Sequence, residues 1–154
     1  MTAIHKIDDD FYDDSFLLIA MHSTMADYAM AYELNITLKA NFKRTRKDFD
    51  LFENSVFPCF EWQDTYHDRC WVLVANQSLK RELLANNDLF QNESTYSVPR
   101  LVPELKDVDY FLKIEEDITG SSDKIIKNVL TMPKVMAAYE VDSNKLKSKN
   151  NLIF

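Results

Sequence analysis

The most chemically reactive side chains in the middle of this sequence belong to two cysteines and a histidine. Cys59, His67 and Cys70 carry thiol and imidazole groups, which are the ligands that zinc favours. Their spacing is C-x7-H-x2-C, however, with no paired C-x-x-C and no defined fourth ligand. If a hairpin turns at Asp64 and Thr65, the two cysteines face each other across it and pack as small apolar residues. The sequence therefore predicts packing here, and no metal site.

A second candidate combines a histidine with acidic side chains. Residues 22–24 (His, Ser, Thr) lie where a predicted strand gives way to a helix. The loop at 115–122 is expected at the same end, because the two leading strands are taken to run parallel, side by side. Two helix N-termini meeting there favour an anion, although the acidic residues at 115–117 suit a cation or an amine better. Helix capping beside a solvated acidic loop is the simpler interpretation, and a catalytic His22 with an acidic partner is a minority hypothesis.

The densest basic cluster lies between the predicted first helix and the next strand, with Phe42 and Phe49 interleaved. Its members are Lys39, Lys43, Arg44, Arg46 and Lys47. Such a cluster can touch RNA phosphates or an acidic protein, or it can balance nearby acidic groups as an exposed strand face. No ribonucleoprotein-type aromatic motif is present, so nucleic acid is not the expected partner.

The chain ends in three large apolar residues, Leu152, Ile153 and Phe154, after a basic spacer. Leaving them in water forgoes about 1.5–3 kcal/mol of burial energy for each large side chain, so we expect them to dock. They dock either on the domain's own core or on a groove or sheet edge of a second subunit or another protein. These two alternatives carry nearly equal weight on sequence grounds.

Composition limits the function classes. Gly120 is the only glycine among 154 residues, whereas average usage of about 7% gives roughly eleven. Phosphate-cradling loops need several glycines at fixed offsets, so a Walker loop and a dinucleotide-binding fingerprint are excluded. The net charge of −7 opposes general attraction to nucleic acid or anionic lipid. No apolar run approaches the ~20 residues of a membrane span, and no signal-type segment is present, so we expect a cytoplasmic protein with reduced thiols.

The pattern of apolar residues predicts one domain over residues 16–142, between an acidic arm at 1–15 and a tail at 143–154. The apolar run at 16–21 predicts a central strand covered on both faces. Thr24 and Asp27 have the spacing of a capping box, which predicts a helix ending near Ala40. Further predictions are an irregular strand at 42–52, a hairpin at 56–63 and 69–76, a short helix at 79–92, a half-buried strand at 110–115, a helix from Ser122 or Asp123 to Pro133, and a strand at 135–141.

Two main helices cannot cover both faces of a six-stranded sheet. We therefore expect an α+β fold in which both helices lie on one face of a mainly antiparallel sheet. A ferredoxin-like split βαβ core with an inserted β-hairpin fits this description.

Residues 102–110 contain Val102, Pro103 and Glu104, then three intervening residues, and then Val108, Asp109 and Tyr110. This motif resembles that of a bacterial family named IPExxxVDY, with valine in place of the first isoleucine. Residues 16–22, 111–114 and 145–154 also resemble that family, which has no assigned function. On physical grounds the motif is structural: the proline suits a first helical position, the glutamate suits its positive end, and the aspartate can bond turn N–H groups. A catalytic carboxylate pair is a minority interpretation, because no nucleophile or base lies nearby in sequence.

Residues 110–141 bear a second, weaker likeness. A strand, a helix ending in Met132-Pro133-Lys134-Val135 and a final strand resemble the closing half of ACT-type regulatory domains, without their ligand-loop glycines. The best functional prediction is a non-enzymatic protein-interaction or adaptor domain without a cofactor, which self-associates or binds a cytoplasmic protein. The expected contact residues are Lys43, Arg44, Arg46, Lys47, Leu152, Ile153 and Phe154. The alternatives are an ACT-like small-ligand regulatory module and an RNA-associated protein that uses residues 39–47; no membrane contact is expected.

Overall fold

The computed structural model describes residues 16–52, 55–78, 99–115 and 122–153. The expected arm at 1–15, the short helix predicted at 79–92 and Phe154 lie outside the described residues. Six strands form the main sheet: β1 (Phe16–Ser23), β2 (Lys43–Arg44), β5 (Cys59–Asp64), β6 (Arg69–Ala75), β7 (Tyr110–Glu115) and β8 (Val135–Val141). A separate ribbon pairs β3 (Phe49–Phe52) with β4 (Ser55–Phe57), and the helices are α1 (Asp27–Leu38) and α2 (Ser122–Leu130).

The strand order in the main sheet is β2-β5-β6-β7-β1-β8, and every neighbouring pair is antiparallel. β7, α2 and β8 form one split βαβ unit with β1 between its strands. β1 and β6 are the parallel strands of a second unit, with β7 between them. This arrangement confirms the mainly antiparallel α+β fold. No helix in the described part of the chain is long and apolar enough to cross a membrane.

The two leading strands, β1 and β7, are antiparallel, so the prediction that they run parallel is wrong. β1 fills the gap of the split β7-α2-β8 unit and is antiparallel to both of its strands. Met21 therefore lies opposite Tyr110, while Phe16 lies opposite Glu115. Glu115 consequently lies at the far end of the sheet from residues 22–24, and the first residues of β7 lie near residues 22–24 instead.

Both helices pack on one face of the sheet, as predicted. Met30, Ala31 and Leu34 of α1 and Ile125 and Val129 of α2 are buried in a single core against alternate residues of the strands. The sheet side of this core is contributed by Ile19, Met21, Phe60, Trp71, Leu73, Ala75, Tyr110, Leu112 and Ile114. Phe42 closes its edge, with edge-on ring contacts to Trp62 and Trp71 at centroid distances of 5.9 and 6.4 Å.

In the part of the chain that the structure describes, no α-helix covers the opposite face of the sheet. The β3–β4 ribbon, the loop before β7 and the C-terminal tail pack onto it and form a second core, whose buried members are Leu18, Ala20, Phe57, Val74, Leu101, Val102, Val108, Phe111 and Leu152. For this reason β7 is buried on both faces, and the prediction of a half-buried strand is wrong. Even Lys113, on the second face, is 4% exposed.

Three local predictions need correction. The predicted capping box at Thr24 and Asp27 is wrong, because α1 begins after Ala26, which has no side chain that can cap it. The Ser23 hydroxyl instead accepts the Met25 N–H at 3.1 Å, in the turn before the helix. The stretch predicted as one irregular strand at 42–52 divides into β2 and β3, which belong to different sheets. Cys59 and Cys70 do not face each other, because the four-residue turn after Asp64 places Cys70 opposite Gln63 and Cys59 opposite Val74.

Candidate partner-binding surface

A buried asparagine, which the sequence reasoning missed, organises the family-like motif. Asn76 follows β6 and is 0% exposed. Its side-chain N–H2 donates to the carbonyls of Leu105 and Val108, and its oxygen accepts the Val102 N–H, all at 2.9 Å. The 3-10 turn Pro103–Leu105 is thereby fixed against the end of β6. An asparagine directly after a buried apolar strand was the available signal, because a buried amide must find partners for its donor and acceptor.

Asp109 and Tyr110 join the motif to the β1–α1 connection. The Asp109 carboxylate accepts the Ser23 N–H at 2.8 Å, and the Tyr110 hydroxyl donates to the Met25 carbonyl at 2.5 Å. Burial raises the pKa of Tyr110 to about 12, with further contributions from the charges of Asp27 and Asp109. The phenol therefore stays protonated and serves as a hydrogen-bond donor.

Glu104 joins the motif to the C-terminal tail. Its carboxylate accepts the Lys147 N–H at 2.7 Å and the Ser148 hydroxyl. Desolvation alone would raise the pKa of Glu104, but these hydrogen bonds outweigh it and hold the pKa below its ordinary value. Since Glu104 and Asp109 are each bound to different structural partners, the geometry gives no support to their reading as a catalytic pair.

The tail folds back on its own domain at Leu152. This side chain is 0% exposed within the second core, and the Asn151 amide donates to the Leu101 carbonyl at 2.9 Å. In this conformation Leu152 has no surface to offer a partner. Ile153, by contrast, is 42% exposed.

The basic cluster is partly neutralised and lacks free aromatic rings. The Arg44 guanidinium contacts Asp48 at 2.7 Å and Asp27 at 3.2 Å, while Lys43, Arg46 and Lys47 are exposed. The two interleaved aromatics are engaged in packing: Phe42 is buried in the helix-side core, and Phe49 packs against the second core. The Phe42 ring is therefore not accessible for base stacking, and the Phe49 ring is only partly accessible.

The histidines and cysteines occupy separate places. His22 hydrogen-bonds the Tyr139 hydroxyl at 2.9 Å, while His67 binds Asp64 at 2.8 Å within the hairpin turn. Burial raises the pKa of Cys59 to about 11 and also raises that of Cys70. Among the described residues, no group of three or more His, Cys, Asp or Glu side chains could hold a metal ion.

An open cleft of about 630 Å³ lies at the sheet end where β1 passes into α1. Its walls include the β1–α1 connection, the start of β7 and the residues that follow β6. The described residues that line it contribute two carboxylates, from Asp27 and Asp109, and no lysine, arginine or histidine. The lining itself is therefore acidic, although Arg44 contacts Asp27 at 3.2 Å and the Arg100 guanidinium lies beside Gln77.

The outer face of α1 carries an apolar stripe, defined by Tyr28, Tyr32 and Ile36. These residues recur every four positions, and their exposed fractions are 72%, 64% and 58%. α1 is thus apolar on its solvent side as well as on its core side, which is unusual for a surface helix. α2, on the same face of the sheet, mainly exposes charged residues, namely Asp123, Lys124 and Lys127.

The sheet edge at β8 is less suited to docking, although Met136 and Tyr139 are 68% and 40% exposed. β1 pairs with one side of β8, and no described strand pairs with the other. Pro133 precedes the strand, Lys134 has φ of 63°, and a register shift beside His22 bulges the strand at Met136. Prolines, charges and bulges at an edge all oppose the addition of another strand.

Among protein-family models, curated proteins and solved structures, nothing matches this chain. The resemblance of residues 102–110 and 145–154 to the IPExxxVDY family stays a prediction.

Proposed function

We propose that this domain is a protein-interaction module, rather than an enzyme, and that the outer face of α1 is its main contact surface. This proposal rests on the exposed apolar stripe of Tyr28, Tyr32 and Ile36. Tyrosine is enriched at the energetic centres of protein interfaces, because a rigid ring gives a large contact area for little loss of entropy. The cysteine and histidine side chains, which could do chemistry, are engaged in packing or in local hydrogen bonds. A cytoplasmic location stays the predicted setting.

Affinity capture with matched variants tests this proposal. Tyr28→Ser combined with Tyr32→Ser removes both rings of the stripe, while Tyr66→Ser removes a ring that is 90% exposed on the β5–β6 turn. The wild-type chain and Tyr66→Ser are expected to retain the same partner protein, and the double variant is expected to lose it. A partner retained equally by all three chains would remove α1 from the interface.

The cleft supports a second candidate, the ACT-like small-ligand module. Its volume of about 630 Å³ lies within the range of ligand pockets. A ligand that binds only the folded state raises the unfolding midpoint, so a thermal-shift screen of amino acids and small amines tests this function. We expect any ligand found to carry a positive charge. A screen in which no compound raises the unfolding midpoint would argue against the small-ligand function and would not affect the protein-interaction proposal.

A further inference from the structure

The stripe is too small to account for a stable interface by itself. A buried tyrosine covers 150–250 Å², so the exposed parts of the two rings and the isoleucine offer roughly 400 Å². A stable interface covers about 800 Å² on each partner, so two copies that paired only through their stripes would fall well short. The occupant must therefore reach beyond Tyr28, Tyr32 and Ile36.

The cleft lies at the N-terminal end of α1, where the stripe begins. Asp27 lines the cleft, and the next residue, Tyr28, begins the stripe. Arg44 contacts Asp27 at 3.2 Å, but its shorter contact, 2.7 Å, is with Asp48, so one guanidinium serves two carboxylates. Asp109 adds a further negative charge to the wall. The Arg100 guanidinium lies beside Gln77 in the same wall, so an occupant that extends past Tyr28 meets three carboxylates, of Asp27, Asp48 and Asp109, and two guanidiniums, which leaves a net negative charge.

We propose that the partner is a basic amphipathic helix, which lays apolar side chains along the stripe and directs a lysine or arginine toward Asp27 and Asp109. This inference rests on the proposed function and specifies the chemistry of the partner. The stripe runs for about 12 Å along the axis of α1, which matches apolar residues spaced by four on a second helix. Electrostatic complementarity at the cleft then fixes the direction in which that helix lies.

The test uses synthetic helical peptides of about five turns. The first carries three leucines spaced by four residues and two lysines on the turn beyond them; the second has glutamates in place of the lysines, and the third has serines in place of the leucines. Fluorescence anisotropy with the full chain measures their affinities. We expect the lysine peptide to bind at least about tenfold more tightly than either control peptide.

Variants of the chain locate the binding. Asp109→Asn keeps an oxygen that can accept the Ser23 N–H, and with Asp27→Asn it is expected to weaken the lysine peptide about tenfold. Asp50→Asn, an exposed position in the β3–β4 ribbon, should leave the affinity unchanged. If Asp50→Asn weakened the lysine peptide as much as the double variant does, the binding would reflect general attraction to an acidic chain, and the inference would be wrong. Equal affinities of the lysine and glutamate peptides would also overturn it. A partner captured through Tyr28 and Tyr32 in either case would leave the proposed function intact.

Discussion

Removing the Asn76 side chain tests the structural account of the motif most directly. Asn76→Ala deletes three hydrogen bonds and leaves the Val102 N–H and the Val108 carbonyl without this partner, while the Leu105 carbonyl keeps the Val108 N–H at 3.1 Å. Each buried polar group left unsatisfied costs about 1–3 kcal/mol. The Leu105 carbonyl bond is only partly buried, so we expect a total loss of about 3–5 kcal/mol in the free energy of unfolding. This is a large share of the 5–15 kcal/mol typical of a domain.

Urea unfolding followed by tryptophan fluorescence measures this loss, because Trp62 and Trp71 both pack in the helix-side core. Asn41→Ala is the matched control, since Asn41 is exposed at the start of the segment that leads into β2. The control should change stability by less than about 0.5 kcal/mol. A loss of under about 1 kcal/mol for Asn76→Ala would refute the reasoning.

The isosteric variant Asn76→Asp separates hydrogen bonding from packing. Its carboxylate would face two carbonyl oxygens without water, so its folded-state pKa lies above the unfolded value of about 3.9. A raised pKa means that the variant is most stable below about pH 4 and loses stability as pH rises, by at most about 1.4 kcal/mol per unit between the two pKa values. Parallel stabilities of variant and wild type from pH 4 to 7 would contradict this.

Three further predictions concern the tail, its anchor and the thiols. Leu152→Ala should cost about 2–5 kcal/mol in urea unfolding, whereas Ile153→Ala, at a position 42% exposed, should cost under about 1 kcal/mol. The lowered pKa of Glu104 stabilises the tail above the unfolded value of about 4.3, and this contribution is lost as pH falls through the folded pKa. Glu104→Gln should therefore flatten the acid dependence of hydrogen exchange in residues 147–152. Because burial raises the pKa of Cys59 to about 11, a thiol reagent at pH 8 should label Cys70 first in the native chain and both cysteines in urea; equal native rates would exclude this account.

The elements of the main sheet were largely predictable, because the apolar runs are long and well bounded. The hairpin of β5 and β6, the strand β8 and the placement of both helices follow from alternation and from the stop at Pro133. The relative direction of β1 and β7 was not, because periodicity within a strand says nothing about the direction of its neighbour. That single error placed Glu115 at the wrong end of the sheet.

The site was harder to predict, since exposure depends on tertiary contacts. Leu152, in the polar tail, is fully buried, whereas Tyr28, on α1, is 72% exposed, although both are large apolar side chains. A signal for the stripe did exist: Tyr28, Tyr32 and Ile36 share a spacing of four with each other, apart from the spacing of Met30, Ala31 and Leu34. Such a helix has more apolar surface than one core face can cover.

The covering of the second face explains why the motif and the tail occur in one chain. Both described helices lie on the first face, so among the described residues Leu18, Ala20 and Phe111 are covered by the β3–β4 ribbon and by irregular backbone. Irregular backbone leaves N–H and carbonyl groups that must find partners when buried. Asn76 supplies partners for the motif, Glu104 supplies them for the tail, and Asn151 returns one from the tail to Leu101. The polar residues of the motif are therefore what allows its apolar residues to be buried, and a change in either set should loosen the same unit.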